Sequence, residues 1–297
     1  MIATVRALTC GLLLLSQAAT AGPREPVAII YRITGDALGA APGRSTVPLR
    51  LFDRLPAGTT LELASGSRLA IAFVTGKRYE ISGPARATLG KGELASKSGG
   101  VRALPSVPPL PRLAAIAEDE EPGPTMGAVR IRAERIAGLY PRRGVAVLAD
   151  DAVLRFQPVL GAGRYRIEVR DGQGRTAFQT DAESPPVKVP AGRLRAGHRY
   201  SWMVRTLDRP GAVARGEADL VTLSEDAARA RQETREILES GESGSLPLLA
   251  EIDHSLGLLL EAREDLRAAL GGEPANPALR KALAEIETQL EEADDHD

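Results

Sequence analysis

The chain has 297 residues, of which 43% are hydrophobic and 26% charged, with a formal net charge of −1. That length suits two or three domains, each large enough to bury a core. A single cysteine, Cys10, excludes a disulfide framework, and an aromatic content of 3% leaves little on which bases could stack.

Among the basic residues only five are Lys, and Asn occurs once, at Asn276. This bias reads as GC-rich coding rather than as an adaptation. The first residues carry the pattern of a targeting segment: Arg6, a short apolar run over residues 7–16, and the small residues Ala19-Thr20-Ala21 where a signal peptidase cuts, leaving Gly22 first. The run is shorter than the roughly 20 apolar residues a membrane span needs. Cys10 precedes most of that run, the wrong side for a lipidated cysteine, so the mature chain would hold no thiol. Residues 1–21 are therefore expected to be a cleaved signal peptide. The product is expected in the periplasm and not as an integral membrane protein.

From residue 27 to 95 strands recur. Residues 27–33 form an apolar opening run, Leu49 and Leu51 precede a Leu55-Pro56-Ala57-Gly58 turn, and Leu61/Leu63, Leu69/Ile71/Phe73 and Tyr79/Ile81 follow at period two. The order of Gly35, Leu55 to Thr59 as Leu-x-x-Gly-Thr, Ala64-Ser65-Gly66-Ser67, the Leu-Ala-Ile-Ala-Phe strand, Gly76 and Ile81-Ser82-Gly83-Pro84-Ala85 resembles the FecR domain of bacterial periplasmic signalling proteins. The best-known members of that family relay a signal from an outer-membrane receptor to a sigma factor through a cytoplasmic segment and a membrane span. Neither is evident in this sequence, so the resemblance implies a small all-β periplasmic module of the signalling type.

Residues 96–139 are expected to be a linker, because Pro105, Pro108, Pro109, Pro111, Pro122 and Pro124 surround the acidic run Glu118-Asp119-Glu120-Glu121. Within it, Ile136 and Leu139, with Tyr140 just beyond, are placed to pack on the next domain.

Residues 140–223 return to period two. Tyr165, Ile167 and Val169 alternate with Arg164, Arg166, Glu168 and Arg170, the Asp171-Gly172-Gln173-Gly174 turn follows, and Thr176, Phe178 and Thr180 come back as a hairpin. Tyr200, Trp202 and Val204 point inward from a later strand. Leu154/Phe156, Val187/Val189 and Ala218/Leu220/Thr222 supply others. Leu194, a Gly-containing turn and Tyr200 six residues on resemble the tyrosine corner of fibronectin type III and immunoglobulin-like sandwiches, which implies a sandwich and says little about function.

Residues 224–297 change period to helix. Ser224 is placed to cap a first helix through Ala227, Ala230 and Ile237 to Leu238. Two more helices are expected over residues 246–270 and a last one from Asn276 or Pro277 to Leu290. Leu249-Ala250, Gly257, Ala262, Ala269 and Pro274 resemble one tetratricopeptide repeat, with Asp253 where that family usually has an aromatic. One repeat cannot bury its own apolar face. The stripe Leu249, Ile252, Leu256, Leu259, Leu266 and Leu270 is therefore the candidate protein-docking surface, covered by the first helix, by a second copy, or by a partner's helix.

The last segment carries 7 Arg and Lys against 19 Asp and Glu, a net of −12, so the residues before it carry +11. No catalytic, metal or cofactor constellation is evident. His198, His254 and His296 are scattered, Gly161-Ala162-Gly163 and Gly172-Gln173-Gly174 read as turns, and no Gly-x-Ser-x-Gly or Ser-x-x-Lys pattern occurs. The cluster Arg132, Arg135, Arg142 and Arg143 reads as a basic surface, not a nucleic-acid site. The expected class is a non-enzymatic scaffold or signalling protein working through protein contacts, self-association among them, with an envelope or inner-membrane signalling protein as partner. The alternative is a cell-wall glycan binder, since peptidoglycan is polyanionic and the N-terminal part is basic.

Overall fold

The computed structural model describes residues 25–109, 134–142, 145–208, 213–240 and 245–291. The expected signal peptide at residues 1–21 and the acidic run at 118–121 lie outside these. The first unit holds β1 (Pro26–Thr34), β2 (Ala37–Ala40), β3 (Val47–Pro48), β4 (Arg54–Pro56), β5 (Thr60–Leu63), β6 (Arg68–Phe73), β7 (Arg78–Leu89) and β8 (Leu94–Leu104). They form one curled sheet in the order β3-β2-β5-β7-β6-β1-β4, with β8 along β7. Its core is made by Ile30, Leu61, Leu69, Ile71, Phe73 and Ile81, all buried. A strand of alternating pattern buries one face; β1 and β6 instead read as continuous apolar runs and are buried on both. The register pairs Ile30 with Ile71 on the core face and Ile29 with Ala72 on the other.

β8 runs through Leu104 and pairs with β7 along its length, so the stretch expected to open a linker is strand. The sequence disguises it because Ser96, Ser98, Gly99 and Gly100 resemble turn chemistry. Gly99 has φ +91°, and a Cβ there would meet the Pro84 carbonyl oxygen at 2.5 Å, so the close approach of β8 to β7 depends on glycine.

The second unit holds β9 (Ala146–Val147), β10 (Val153–Leu154), β11 (Tyr165–Asp171), β12 (Thr176–Ala182), β13 (Val187–Lys188), β14 (Arg199–Thr206) and β15 (Arg215–Thr222). Two sheets, β12-β11-β14-β15-β9 and β10-β13, make a β sandwich. Tyr165, Ile167, Val169, Trp202, Val204 and Leu220 meet Leu154, Phe156, Val187 and Val189 in its core. Trp202 is 1% exposed and its Nε1 donates to the Pro141 carbonyl at 2.8 Å. The corner expected from Leu194 and Tyr200 forms: Leu194 is buried, and the Arg195 amide donates to the Tyr200 hydroxyl at 2.7 Å. Residues 134–139 also belong to this unit, since Ile136 lies in the core and its amide donates to the Arg215 carbonyl at 3.0 Å.

The helices are α1 (Glu225–Glu239), α2 (Leu246–Ser255), α3 (Leu259–Gly272) and α4 (Pro277–Glu291). Ser224 caps α1, its Oγ accepting from the Ala227 amide at 3.3 Å. Gly257, with φ +76°, turns α2 into α3. α4 begins at Pro277, within the start expected at Asn276 or Pro277. The side-chain oxygen of Asn276 accepts from the amides of Ala278 and Leu279 there, at 3.0 and 3.3 Å. A capping Asn satisfies open first-turn donors of the helix.

Candidate interaction site

The six stripe residues do not face open solvent. Leu249 (1% exposed) and Ile252 (4%) sit with Leu248 against Ile29, Tyr31, Ala70 and Ala72, the outer face of β1 and β6. Leu259 and Leu266 are buried in a second cluster with Leu51, Tyr140 and Val145, which draws on both β units. Leu256 and Leu270 are half-buried at the margins of these clusters. The stripe is therefore covered within the chain: Leu238 and Ile237 of α1, the first helix expected as a cover, supply part of it, and the first sheet, which is not among the expected covers, supplies the rest around Leu249 and Ile252. The signal for this cover is present in the unbroken apolar runs at Ala28–Tyr31 and Leu69–Phe73, which have no polar face to show to water. Ala70 and Ala72 are small, and this lets α2 lie close to the sheet.

Polar groups pin the same joint. The Ala146 amide donates to the Gly257 carbonyl at 3.1 Å, linking β9 to the α2–α3 turn. Arg142 donates to the Gln289 carbonyl of α4, and Arg54 pairs with Glu251 of α2. Phe52, packed against both interfacial clusters, holds φ +70°. A bulky residue in the left-handed region costs about 1–2 kcal/mol and persists only where its surroundings over-determine it.

Asp253 is fully buried and accepts a bidentate pair from Arg231 at 2.6 and 2.7 Å. Arg235 lies 3.5 Å from the same carboxylate and donates to Asp265 at 2.8 Å. Burial opposes the charge on Arg231, but the Asp253 carboxylate outweighs it and holds the guanidinium pKa above its ordinary value. Asp265 is pushed up by burial in spite of Arg235. Glu261, half-buried on α3, is likewise raised by burial, and the phenol of Tyr140 beside it is raised by burial and then by Glu261. The aromatic that the repeat pattern would place at Asp253 is thus replaced by an ion pair clamping α1 onto α2.

What this joint leaves open is a groove of about 210 Å³ lined by Phe52 and Arg54 from the first unit, His254 from α2, and Ala282, Glu285 and Ile286 from α4. His254 Nε2 lies 3.2 Å from the Gln289 side-chain oxygen. With cation, carboxylate and imidazole around an apolar floor, the groove can hold a side chain or short segment by mixed polar and apolar contacts. Elsewhere, Trp202 and Tyr200 are core residues, and His198 is an exposed turn residue. His296, Arg132 and Arg143 lie outside the described residues. No helix among the described residues is long and apolar enough to cross a membrane.

No family model matches the chain, and no curated protein matches it. Among solved structures, CopC from Methylosinus trichosporium OB3b aligns at 19% identity over 31% of this chain and 94% of its own, with a TM-score of 0.24. The FN1–FN3 domains of chicken CNTN1 align at 10% identity over 65% of this chain and 57% of theirs, with a TM-score of 0.25. A β-D-glucuronidase from Dictyoglomus thermophilum aligns at 9% identity over 66% of this chain and 44% of its own, with a TM-score of 0.21. Likeness at this level carries no argument about what the chain does.

Proposed function

We propose that the chain is a non-catalytic periplasmic scaffold or signalling protein acting through protein contacts. In this reading it is exported through a cleaved signal peptide and built from a FecR-like β domain, a fibronectin-like sandwich and a tetratricopeptide-like helical segment. One observation supports the reading above the others: the helices are used to join two β units, with Leu51 of one and Tyr140 and Val145 of the other in a single helical cluster. A scaffold needs its modules held in a fixed relation, and an apolar joint of this kind supplies it. The contact surface would be the groove between the first unit and α4, not the stripe beneath it. An Ala282→Arg variant, which fills that groove from a half-buried position, tests the reading. Site-specific crosslinking from Glu285 in the periplasm should yield a defined envelope-protein adduct with the parent and lose it in the variant, with the melting temperature unchanged. An adduct pattern identical in both proteins would refute the reading.

A further inference from the structure

Where the β11–β12 turn meets the loop before β14, the sandwich carries an open cleft of about 650 Å³. Four arginines line it, Arg175, Arg193, Arg195 and Arg199, with His198 among them and Asp171 as the one carboxylate of the lining. Asp171 is already engaged: one oxygen accepts from the amides of Gln173 and Arg175 at 2.9 and 3.0 Å, and the other from Arg175 Nε at 2.9 Å. Arg175 is thus already paired, and the exposed Arg193 and Arg195 face the cleft with no second carboxylate in its lining.

The backbone that carries these cations is held rigidly. The Arg195 amide is fixed by the Tyr200 hydroxyl, and the Arg195 carbonyl accepts from the Thr222 hydroxyl at 2.6 Å. The His198 amide donates to that hydroxyl at 2.9 Å, and the Gly197 amide donates to the Leu223 carbonyl at 3.0 Å. The tyrosine corner thus acts as a mount that fixes the loop backbone, so only the arginine side chains need be ordered when a ligand arrives. Guanidinium forks match the paired oxygens of carboxylate and phosphate.

Other features narrow the ligand. Gly172, Gln173 and Thr176 also line it, with Ala177 as its one aliphatic side chain, so it lacks the large apolar anchor pocket that dominates protein hot spots. The single aromatic of the lining, Tyr200, is 5% exposed and its hydroxyl is engaged, so no ring is offered to a base. We propose that this cleft binds an anionic glycan through carboxylate or phosphate groups carried along the sugar chain. The site lies on the sandwich, apart from the groove at the helical joint, and does not depend on the scaffold reading.

The test uses the full mature chain and two fluorescent probes, an oligogalacturonate carrying carboxylates and a phosphomannan carrying phosphates, with neutral dextran as control. Arg193→Gln/Arg195→Gln removes two exposed cations with no core role; Arg68→Gln/Arg229→Gln removes the same charge elsewhere. At low salt the parent should bind at least one anionic probe and not dextran, and should release it at high salt. The cleft variant should lose affinity about tenfold while the control stays within about twofold, as expected for charge-assisted contacts rather than a diffuse field. Whichever anionic probe is retained identifies the carrier group. Failure to bind either probe at low salt, or equal losses in the two variants at unchanged melting temperature, would overturn the proposal.

Discussion

Replacing Asp253 by Leu would leave two guanidiniums facing a site with no carboxylate: Arg231, which loses both hydrogen bonds of its bidentate pair, and Arg235, which keeps Asp265. Breaking a buried pair from one side costs about 3–5 kcal/mol, mostly because the surviving charge stays desolvated. Arg231→Leu should cost less, since Arg235 stands 3.5 Å from the orphaned carboxylate and can move to it. In the double variant Arg231→Leu/Asp253→Leu neither charge remains, and apolar replacements of buried pairs are often neutral or stabilising by about 1–4 kcal/mol. The double variant should therefore be far more stable than Asp253→Leu alone, a coupling of several kcal/mol. Urea unfolding followed by the helical circular dichroism signal, with midpoint and slope compared across the four proteins, measures it. Additive losses would show that the two side chains do not act as a pair, and the account of how α1 is clamped to α2 would fall.

Trp202→Ala should destabilise the sandwich by about 3–5 kcal/mol through the cavity it leaves, with a further loss from the stranded Pro141 carbonyl; a thermal melt that does not shift would remove Trp202 from the core. Glu261→Gln should stabilise the chain at neutral pH. Its folded pKa is raised by burial, so the wild-type carboxyl favours the fold below its unfolded value and works against it once the pH rises through the folded one. The gain from Gln should accordingly shrink toward zero in acid, and a gain independent of pH would contradict this. Protein recovered from the periplasm should have an intact mass beginning at Gly22, and a full-length cytoplasmic product would remove the export argument. Truncation at Ser245 should expose Ile29, Tyr31, Ala70 and Ala72 and bring on aggregation, visible by light scattering; a soluble monomer would show that the helices are not the cover of that sheet.

The sandwich is legible in the sequence because β11, β14 and β15 each bury alternate residues on one face. Tyr165, Ile167 and Val169 alternate with charged residues, and period two can be read without knowing the partner. The Ser224 cap and the glycine turn at Gly257 are legible for a similar reason, since each is fixed by chemistry within a few residues. What is not legible depends on contacts distant in sequence. A continuous apolar run such as Ala28–Tyr31 shows that both faces are covered but not by what, and here the cover lies on α2, more than half the chain away. Asp253 looks like a departure from the repeat pattern, because its partner Arg231 belongs to the preceding helix. β8 is hidden at Gly99, where glycine serves a close backbone approach instead of a turn.

The burial of the helical stripe changes where a partner could act. A single helical hairpin with an uncovered apolar face would be sticky and indiscriminate, whereas here that face is matched to a sheet whose Ala70 and Ala72 leave room for it. The first sheet has the complementary need, since without the helices Ile29 and Tyr31 would lie in water. Each element thus covers the other's unpaired surface, and burial of each such large side chain contributes about 1.5–3 kcal/mol to holding the joint. The sandwich is tied in through Tyr140, Val145 and the Ala146 amide, so motion of α2 and α3 relative to either β unit would disturb the packing of the other. A ligand seated between Arg54 and Glu285 would bear on that joint from its rim, on the strained Phe52 backbone and on the Arg54–Glu251 pair together. Binding there could bias how the two β units are held only through its difference in affinity for their arrangements.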